Sequence, residues 1–202
     1  MILLKKYRIG MFCLLALHPF VQLHSQEELA RVSNATPQFA INTNLLSDLT
    51  YSLNLGAEWA LDNNFTLKMP LTYNPWDLDN IAKYKFLLFQ PELRWWSCEP
   101  FSGHFFGLHA HYASFNAGGI LSGNLKKYRY QGWLAGAGLS YGYQFYLSPR
   151  WNLELNVGVG YAYVDYDKYE KCDACWTQRE KDGVYHYLGL TQVGISLIYI
   201  LK

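Results

Sequence analysis

Five charged residues lie inside chain segments whose apolar residues recur at every second position. They are Glu58, Lys68, Glu92, Arg94 and Glu154, and each falls on the small, polar face of its segment. A charge that faced lipid at mid-depth would cost about 2–4 kcal/mol, so these groups belong in an enclosed interior. Eight strands leave just enough interior for side chains to fill. We therefore predict a structural ion-pair network, with an ion-passing gate as the alternative.

A short turn fixes the register of two of these charges. The turn at 62–64 sets Leu61 opposite Phe65, and counting back along both strands sets Glu58 opposite Lys68. Opposite charges at directly facing positions attract each other. We therefore expect these two residues to face each other inside the hairpin.

Two histidines share one face of a predicted strand. His109 and His111 are two residues apart, and Glu92 is expected nearby. Two imidazoles and a carboxylate suit a metal site or acid–base chemistry. Because no further ligand is fixed by spacing, we interpret the pair as polar filler and expect neither metal nor cofactor.

The cysteines point to an exported protein. Cys172 and Cys175 flank Asp-Ala in the longest predicted loop, 165–187, and export favours a disulfide between them. Zinc would require a second cysteine pair, and a redox motif would require a thioredoxin-like helix start. Cys98, at a predicted turn, is left over, and we expect a free, buried thiol.

The first 25 residues have the pattern of a secretory signal. Lys5, Lys6 and Arg8 precede an apolar stretch over 9–23, and cleavage is expected after Ser25. The stretch is too short and too interrupted for a transmembrane helix. We assign 1–25 to a signal peptide, 26–36 to a short periplasmic lead and 37–202 to a barrel domain.

Strict apolar–polar alternation dominates the mature chain. Eight segments show it: 39–45, 51–61, 65–73, 89–95, 106–112, 133–145, 151–163 and 193–199. Repeated alternation over about ten residues is typical of membrane-spanning barrels, whose bacterial forms have even strand numbers. We predict an all-β, eight-stranded, antiparallel, up-and-down transmembrane β-barrel of the smallest outer-membrane size. A secreted, lipocalin-like barrel is the alternative, but the polar face is too Gly-rich and charge-poor for a good solvated exterior.

Connection lengths and aromatic residues orient this barrel. Connections at 62–64, 97–103 and 148–150 are short, whereas 74–84, 117–130 and 165–187 are longer and polar. Short turns are periplasmic in such barrels, which places both termini in the periplasm of an outer-membrane protein. Aromatic residues also gather near both expected rims, as the two membrane interfaces select. Outer-loop contacts are expected at Trp76, Lys126, Lys127, Arg129 and the cysteine loop.

Composition and motif searches argue against most activities. Aromatic residues make up 17% of the chain and charged residues 16%, and the net charge is +1, so no nucleic-acid partner is indicated. There is no G-x-S-x-G, phosphate loop or H-E-x-x-H motif. We predict a non-enzymatic protein, with a lipid-modifying outer-membrane enzyme or a small diffusion channel as alternatives.

Several motifs together resemble one protein family. They are Asn74-Pro75-Trp76, Gln90-Pro91-Glu92, Arg94-Trp95, Gly103-His104-Phe105 with His109, Tyr128 to Trp133, Ser140 to Gln144, Arg150 to Glu154 and Gly158 to Tyr169. The chain resembles, over 39–202, a Bacteroidales outer-membrane family of unknown function encoded in fimbrial gene clusters. The resemblance implies a barrel associated with fimbriae, no known enzyme activity and no functional residues to carry over. Its expected partners are outer-membrane lipid and, through the outer loops, fimbrial or other envelope proteins.

Cysteine labelling of intact cells tests the expected loop. In a Cys98→Ser background, a membrane-impermeant maleimide should label Cys172 and Cys175 only after reduction, because both are expected outside the cell and oxidised. Full labelling without reductant would contradict the disulfide. No labelling after reduction would contradict the topology.

Overall fold

The computed structural model describes residues 37–76, 83–118, 128–172 and 175–201, apart from the side chains of Lys83 and of 171–182. The predicted signal peptide and periplasmic lead, 1–36, lie outside the described residues. Nine strands and one helical turn make up the described chain: β1 Phe39–Asn44, α1 Leu45–Leu49, β2 Leu53–Ala60, β3 Phe65–Asn74, β4 Lys83–Phe89, β5 Glu92–Trp96, β6 Gly103–Gly118, β7 Tyr128–Ser148, β8 Trp151–Cys172 and β9 Cys175–Ile200. None of the described helical residues forms a segment long and apolar enough to cross a membrane.

Antiparallel pairing joins the strands into a closed ring, which confirms the all-β antiparallel prediction. All strands adjacent in the chain pair with each other except β4 and β5, and β9 returns to β1 with Ile200 opposite Ala40. β4 and β5 share one place in the ring, between β3 and β6. They are separated at Gln90–Pro91, because proline has no N–H to donate to the ladder. The predicted count of eight strands is therefore wrong, since the described residues form nine.

The later strands run further than the sequence pattern predicts. β8 and β9 continue through most of the expected loop 165–187 and pair as far as Cys172 opposite Cys175. β7 likewise begins at Tyr128, inside the expected loop 117–130. Alternation reports one apolar face, so it misses a hairpin whose two faces are both polar. The short connection after β1 forms α1, which Asn44 caps by accepting a 3.1 Å hydrogen bond from the Leu46 N–H.

The two faces of the ring have inverted polarity. Among the described residues, eighteen polar or charged residues are buried, against seven apolar ones. The outward face is apolar along the strands, and Leu139 and Leu188 are 65% and 83% exposed. A soluble domain buries its apolar face, because removing that face from water is the main driving force of folding. The described ring turns its apolar face outward.

Glycines on the inward face of β7 make room for large side chains of β6. The register sets Gly136 opposite His111 and Gly138 opposite His109. A Cβ added at Gly138 would lie 2.8 Å from His109 Cε1 and closer still to the Val159 carbonyl oxygen. The small residues of the Gly-rich polar face thus pack against large side chains of the neighbouring strand inside the narrow ring.

Substituting one of these glycines tests the packing. Gly138→Val should destabilise the fold by about 1–3 kcal/mol, because the added atoms would overlap His109 and the Val159 carbonyl oxygen. Ala137→Val is the matched control, since Ala137 is the next residue on the outward, exposed face. Urea unfolding of both variants gives the free energies. Equal stability of the two variants would contradict the inward assignment.

Candidate functional site

The five charged residues named above meet inside the ring, each 3% exposed or less. Arg94 is the centre of this cluster. Its Nη1 and Nη2 bind the two carboxylate oxygens of Glu154 at 2.7 and 2.9 Å, its Nε binds Glu92 at 2.8 Å, and Nη1 reaches Glu58 at 3.1 Å. A planar guanidinium presents five donors in a fixed fork, which suits this multiple carboxylate binding. One arginine thereby links strands β2, β5 and β8.

Lys68 binds a different partner from the one that the hairpin count suggests. The register of β2 and β3 does set Glu58 opposite Lys68. The ammonium nevertheless extends to Glu154, where Nζ lies 3.0 Å from Oε1. Glu58 is held instead by Arg94 and by the Thr66 hydroxyl, which donates a 2.6 Å hydrogen bond. Cross-strand register therefore does not decide ion pairing, because a long side chain in a narrow ring also reaches strands that are not its neighbours.

Neutral donors complete the carboxylate shell. Ser140 and Gln192 donate to the two oxygens of Glu92, and Asn156 donates to Glu154 at 2.7 Å. These bonds matter because three carboxylates face two cations, and a buried charge without partners is expensive. Sequence reasoning missed these residues, although each falls on the same polar face of its strand as the charges.

An aromatic layer closes the ring on one side of the cluster. We call this side the turn end, where the connections at 61–64, 97–102 and 149–150 lie. Phe101 enters the interior from its turn with a left-handed φ of 64°, unusual for a bulky residue, and its carbonyl accepts from Asn152 at 2.9 Å. Trp96 packs between Phe101 and Phe105, with ring centroids 6.1 and 4.9 Å away. Phe105 also lies beneath Arg94, whose Cζ is 4.1 Å from the ring centroid.

The histidine pair lies on the opposite side of the cluster. We call this side the loop end, where β3 and β6 end and β4 and β7 begin. His109 Nε2 is 2.9 Å from the Thr191 hydroxyl, and its ring centroid is 5.7 Å from that of His111. Glu92 is the register partner of His109. Across the described ranges, no three His, Cys, Asp or Glu side chains converge in a way that would hold a metal ion.

The expected loop contacts are spread around the loop end. Trp76 is half-exposed, and its indole N–H donates to the Tyr51 carbonyl at 2.6 Å. Arg129 binds Gln131 at 2.6 Å and lies over the ring of Tyr169.

The remaining loop expectations meet different outcomes. Lys126 and Lys127 lie outside the described residues, as do the side chains of Cys172 and Cys175 that would form the disulfide. The expected buried thiol is wrong: Cys98 is a free cysteine in the exposed part of its turn, 97–99.

Comparison with known proteins gives one match. The family model described as "Protein of unknown function (DUF3575)" matches residues 9–201. The chain belongs to this family. No curated protein and no solved structure matches it. The DUF3575 family model therefore covers all nine strands of the ring and the ion cluster within it.

The contacts of the cluster suit a structural role. Its carboxylates are occupied by guanidinium, ammonium and neutral donors, so each is tied in place rather than open to a reactant. Such an arrangement fixes several strands in register at one depth. Its loss is correspondingly costly, since removing one partner leaves buried charges uncompensated.

Removing the central arginine tests this role. Arg94→Met should destabilise the protein by about 3–5 kcal/mol, because three carboxylates then share only Lys68. The control is Arg150→Met, since the Arg150 side chain is exposed and binds the Tyr199 hydroxyl at 3.2 Å. The stability change in this control should stay within about 0.5 kcal/mol. Unfolding free energies measure both. Equal losses of stability in the two variants would contradict the central role of Arg94 in the cluster.

Double-mutant cycles distinguish the two candidate partners of Lys68. Lys68→Met combined with Glu154→Gln should show a coupling of about 1–3 kcal/mol, because these groups touch. Lys68→Met combined with Glu58→Gln should show a coupling well below that. The reverse order would mean that the ion pairs follow the register of the β2–β3 hairpin.

Proposed function

We propose that the protein is a non-enzymatic, outer-membrane β-barrel with its termini in the periplasm. The observation that carries this proposal is the inverted polarity of the ring, with charges inside and large apolar side chains outside. Exposing such an apolar exterior to water is unfavourable, whereas contact with the apolar chains of lipid is favourable. A bilayer also demands that every backbone polar group be paired, which a closed ring of strands achieves over most of its circumference.

The spacing of the outward aromatic residues supports the same proposal. One row contains Trp151 beside Tyr199 at the turn end, and another contains Trp133 near Tyr163 towards the loop end. On β7, Trp133 and Phe145 mark the two rows and lie twelve positions apart. At about 3.3 Å per residue and a tilt near 40°, they are separated by roughly 30 Å along the barrel axis. That distance suits the apolar band and its two interfaces.

The filled interior favours a structural role over transport. Arg94 and its partners occupy the ring at one level, and Trp96, Phe101 and Phe105 occupy it at the next. Ions or solutes would have to displace both layers, so a permanently open channel is disfavoured. The charges serve as a plug that fixes register.

We infer that this rigid barrel supports or anchors surface structures of the envelope, with fimbriae as the candidate partner. The fimbrial part of this proposal comes from the resemblance of the chain's motifs to proteins of fimbrial gene clusters. Contacts would be made at the loop end, where Trp76 and Arg129 lie. Outer-membrane lipid is the other partner, at the apolar exterior.

A charge placed on the outer face tests the membrane proposal. Leu139→Arg should cost about 2–4 kcal/mol in lipid vesicles, because Leu139 lies midway between the aromatic rows, whereas Leu147→Arg near the turn end should cost about 0–1 kcal/mol. Both residues are exposed leucines on the same strand. In a soluble protein an exposed Leu→Arg change stays within about 0.5 kcal/mol. Two equally small effects would contradict the proposal.

A further inference from the structure

The loop-end half of the ring contains an apolar cavity. Its volume is ≈ 450 Å³. The wall combines β4 with β6 to β9 and includes the apolar residues Phe86, Ala113, Phe115, Leu134 and Ala162. This half of the interior departs from the polar filling expected of the whole barrel. By proportion to an apolar cavity of ~150 Å³ that takes benzene, it suits roughly eighteen carbon atoms.

The floor of the cavity carries one polar group without a partner. His111 lines the cavity and is 6% exposed, and its Nδ1 has no hydrogen-bond partner within the described part of the chain. The Nδ1 of the neighbouring His109 is also unpaired, but His109 does not line the cavity and its Nε2 binds Thr191. A buried polar atom left unpaired is costly, so a ligand group that bonds it would be favoured.

One wall of the cavity has an unpaired strand edge. β9 pairs with β1 only over Ser196–Ile200, whereas its pairing with β8 runs up to Cys175. Beyond Asn44 the chain leaves the sheet as α1. Residues 183–192 of β9, here the open edge, therefore have β8 on one side and no second strand among the described residues.

Side chains cap the backbone at and beside the open edge. The Leu190 carbonyl accepts from the Tyr187 hydroxyl at 3.1 Å, the Thr191 carbonyl from Gln90 at 3.3 Å, and the Val193 carbonyl from Asn44 at 3.4 Å. These bonds take over the role of a missing strand partner. Three carbonyls at and beside the edge are thus paired without a strand partner, and the edge residues Leu188 and Leu190 are 83% and 57% exposed.

We propose that this cavity binds a single-chain amphiphile of the fatty-acid class. The chain fills the apolar volume, its head hydrogen-bonds His111, and it passes between the surrounding bilayer and the cavity at the open edge. Lateral passage rests on the proposed membrane location. The cavity itself does not, so binding in detergent tests it separately.

Titration with cis-parinaric acid, a fluorescent C18 fatty acid, tests the site in a steroid-based detergent that has no alkyl chain. The wild-type protein should bind one molecule. Ala113→Trp, which fills the cavity, should weaken binding at least about tenfold, the effect of losing roughly 1.4 kcal/mol. Ala110→Trp is the control, because Ala110 is exposed on the outward face of the same strand. Ala162→Leu provides a second, smaller filling of the cavity should Ala113→Trp fail to fold.

The head contact has its own test. His111→Leu should weaken binding of the acid about tenfold or more but leave its methyl ester within about twofold, since only the acid forms the charged hydrogen bond. Equal losses for acid and ester would overturn the role of His111. Equal binding by the Ala113→Trp and Ala110→Trp variants, or no binding by the wild type, would overturn the cavity site.

Vesicles distinguish the source of the chain and separate this inference from the proposed function. A phospholipid with a photoreactive acyl chain and a photoreactive free fatty acid are compared for cross-links to 84–88 and 113–117. Cross-links from the fatty acid alone support the proposal, and cross-links from the phospholipid alone overturn it. A protein that inserts into vesicles but binds no fatty acid contradicts only this inference. A protein that binds in detergent but never inserts contradicts the proposed function.

Discussion

The structure depends on the desolvation of five charges at one level of a narrow ring. Taking a charge out of water costs far more than one ion pair returns, unless its remaining hydrogen-bonding positions are also filled. Arg94 meets this condition by binding three carboxylates, and Ser140, Asn156 and Gln192 fill further positions. Because these residues lie on different strands, the cluster is satisfied only in one register. A slip of one residue would turn an entire strand over and place its charge on the apolar exterior.

The same constraint explains the composition of the inward face. Bulky inward side chains on β6 leave space on β7 only for residues without a Cβ, as at Gly136 and Gly138. The outward face has no such limit, and aromatic and aliphatic residues occupy it. Low charge, high aromatic content and high glycine content therefore follow from one arrangement, a narrow ring with its charges clustered inside and its apolar side chains outside.

Period-two alternation predicted much of the fold, because the face of each strand follows from sequence parity alone. It predicted the inward face of all five charges and the register of Glu58 with Lys68. It did not predict the break at Pro91, which makes two strands of one segment, nor the long polar hairpin that ends at Cys172. Alternation also could not predict ion pairing across the ring, since the Lys68–Glu154 contact joins residues 86 positions apart whose strands are not neighbours. Nor does any local pattern mark the left-handed Phe101 that closes the turn end.

We propose that odd-numbered residues of β7 face lipid and that even-numbered ones face the interior of the ring. Spin labels placed singly at each position from 134 to 145 test it directly in vesicles, through collision rates with oxygen, which concentrates in lipid, and with a polar nickel chelate, which stays in water. The account predicts a two-residue period in oxygen accessibility, in phase with Leu139 and highest there, with low nickel accessibility at those same positions. High nickel accessibility at the odd positions, or no two-residue period, would contradict it.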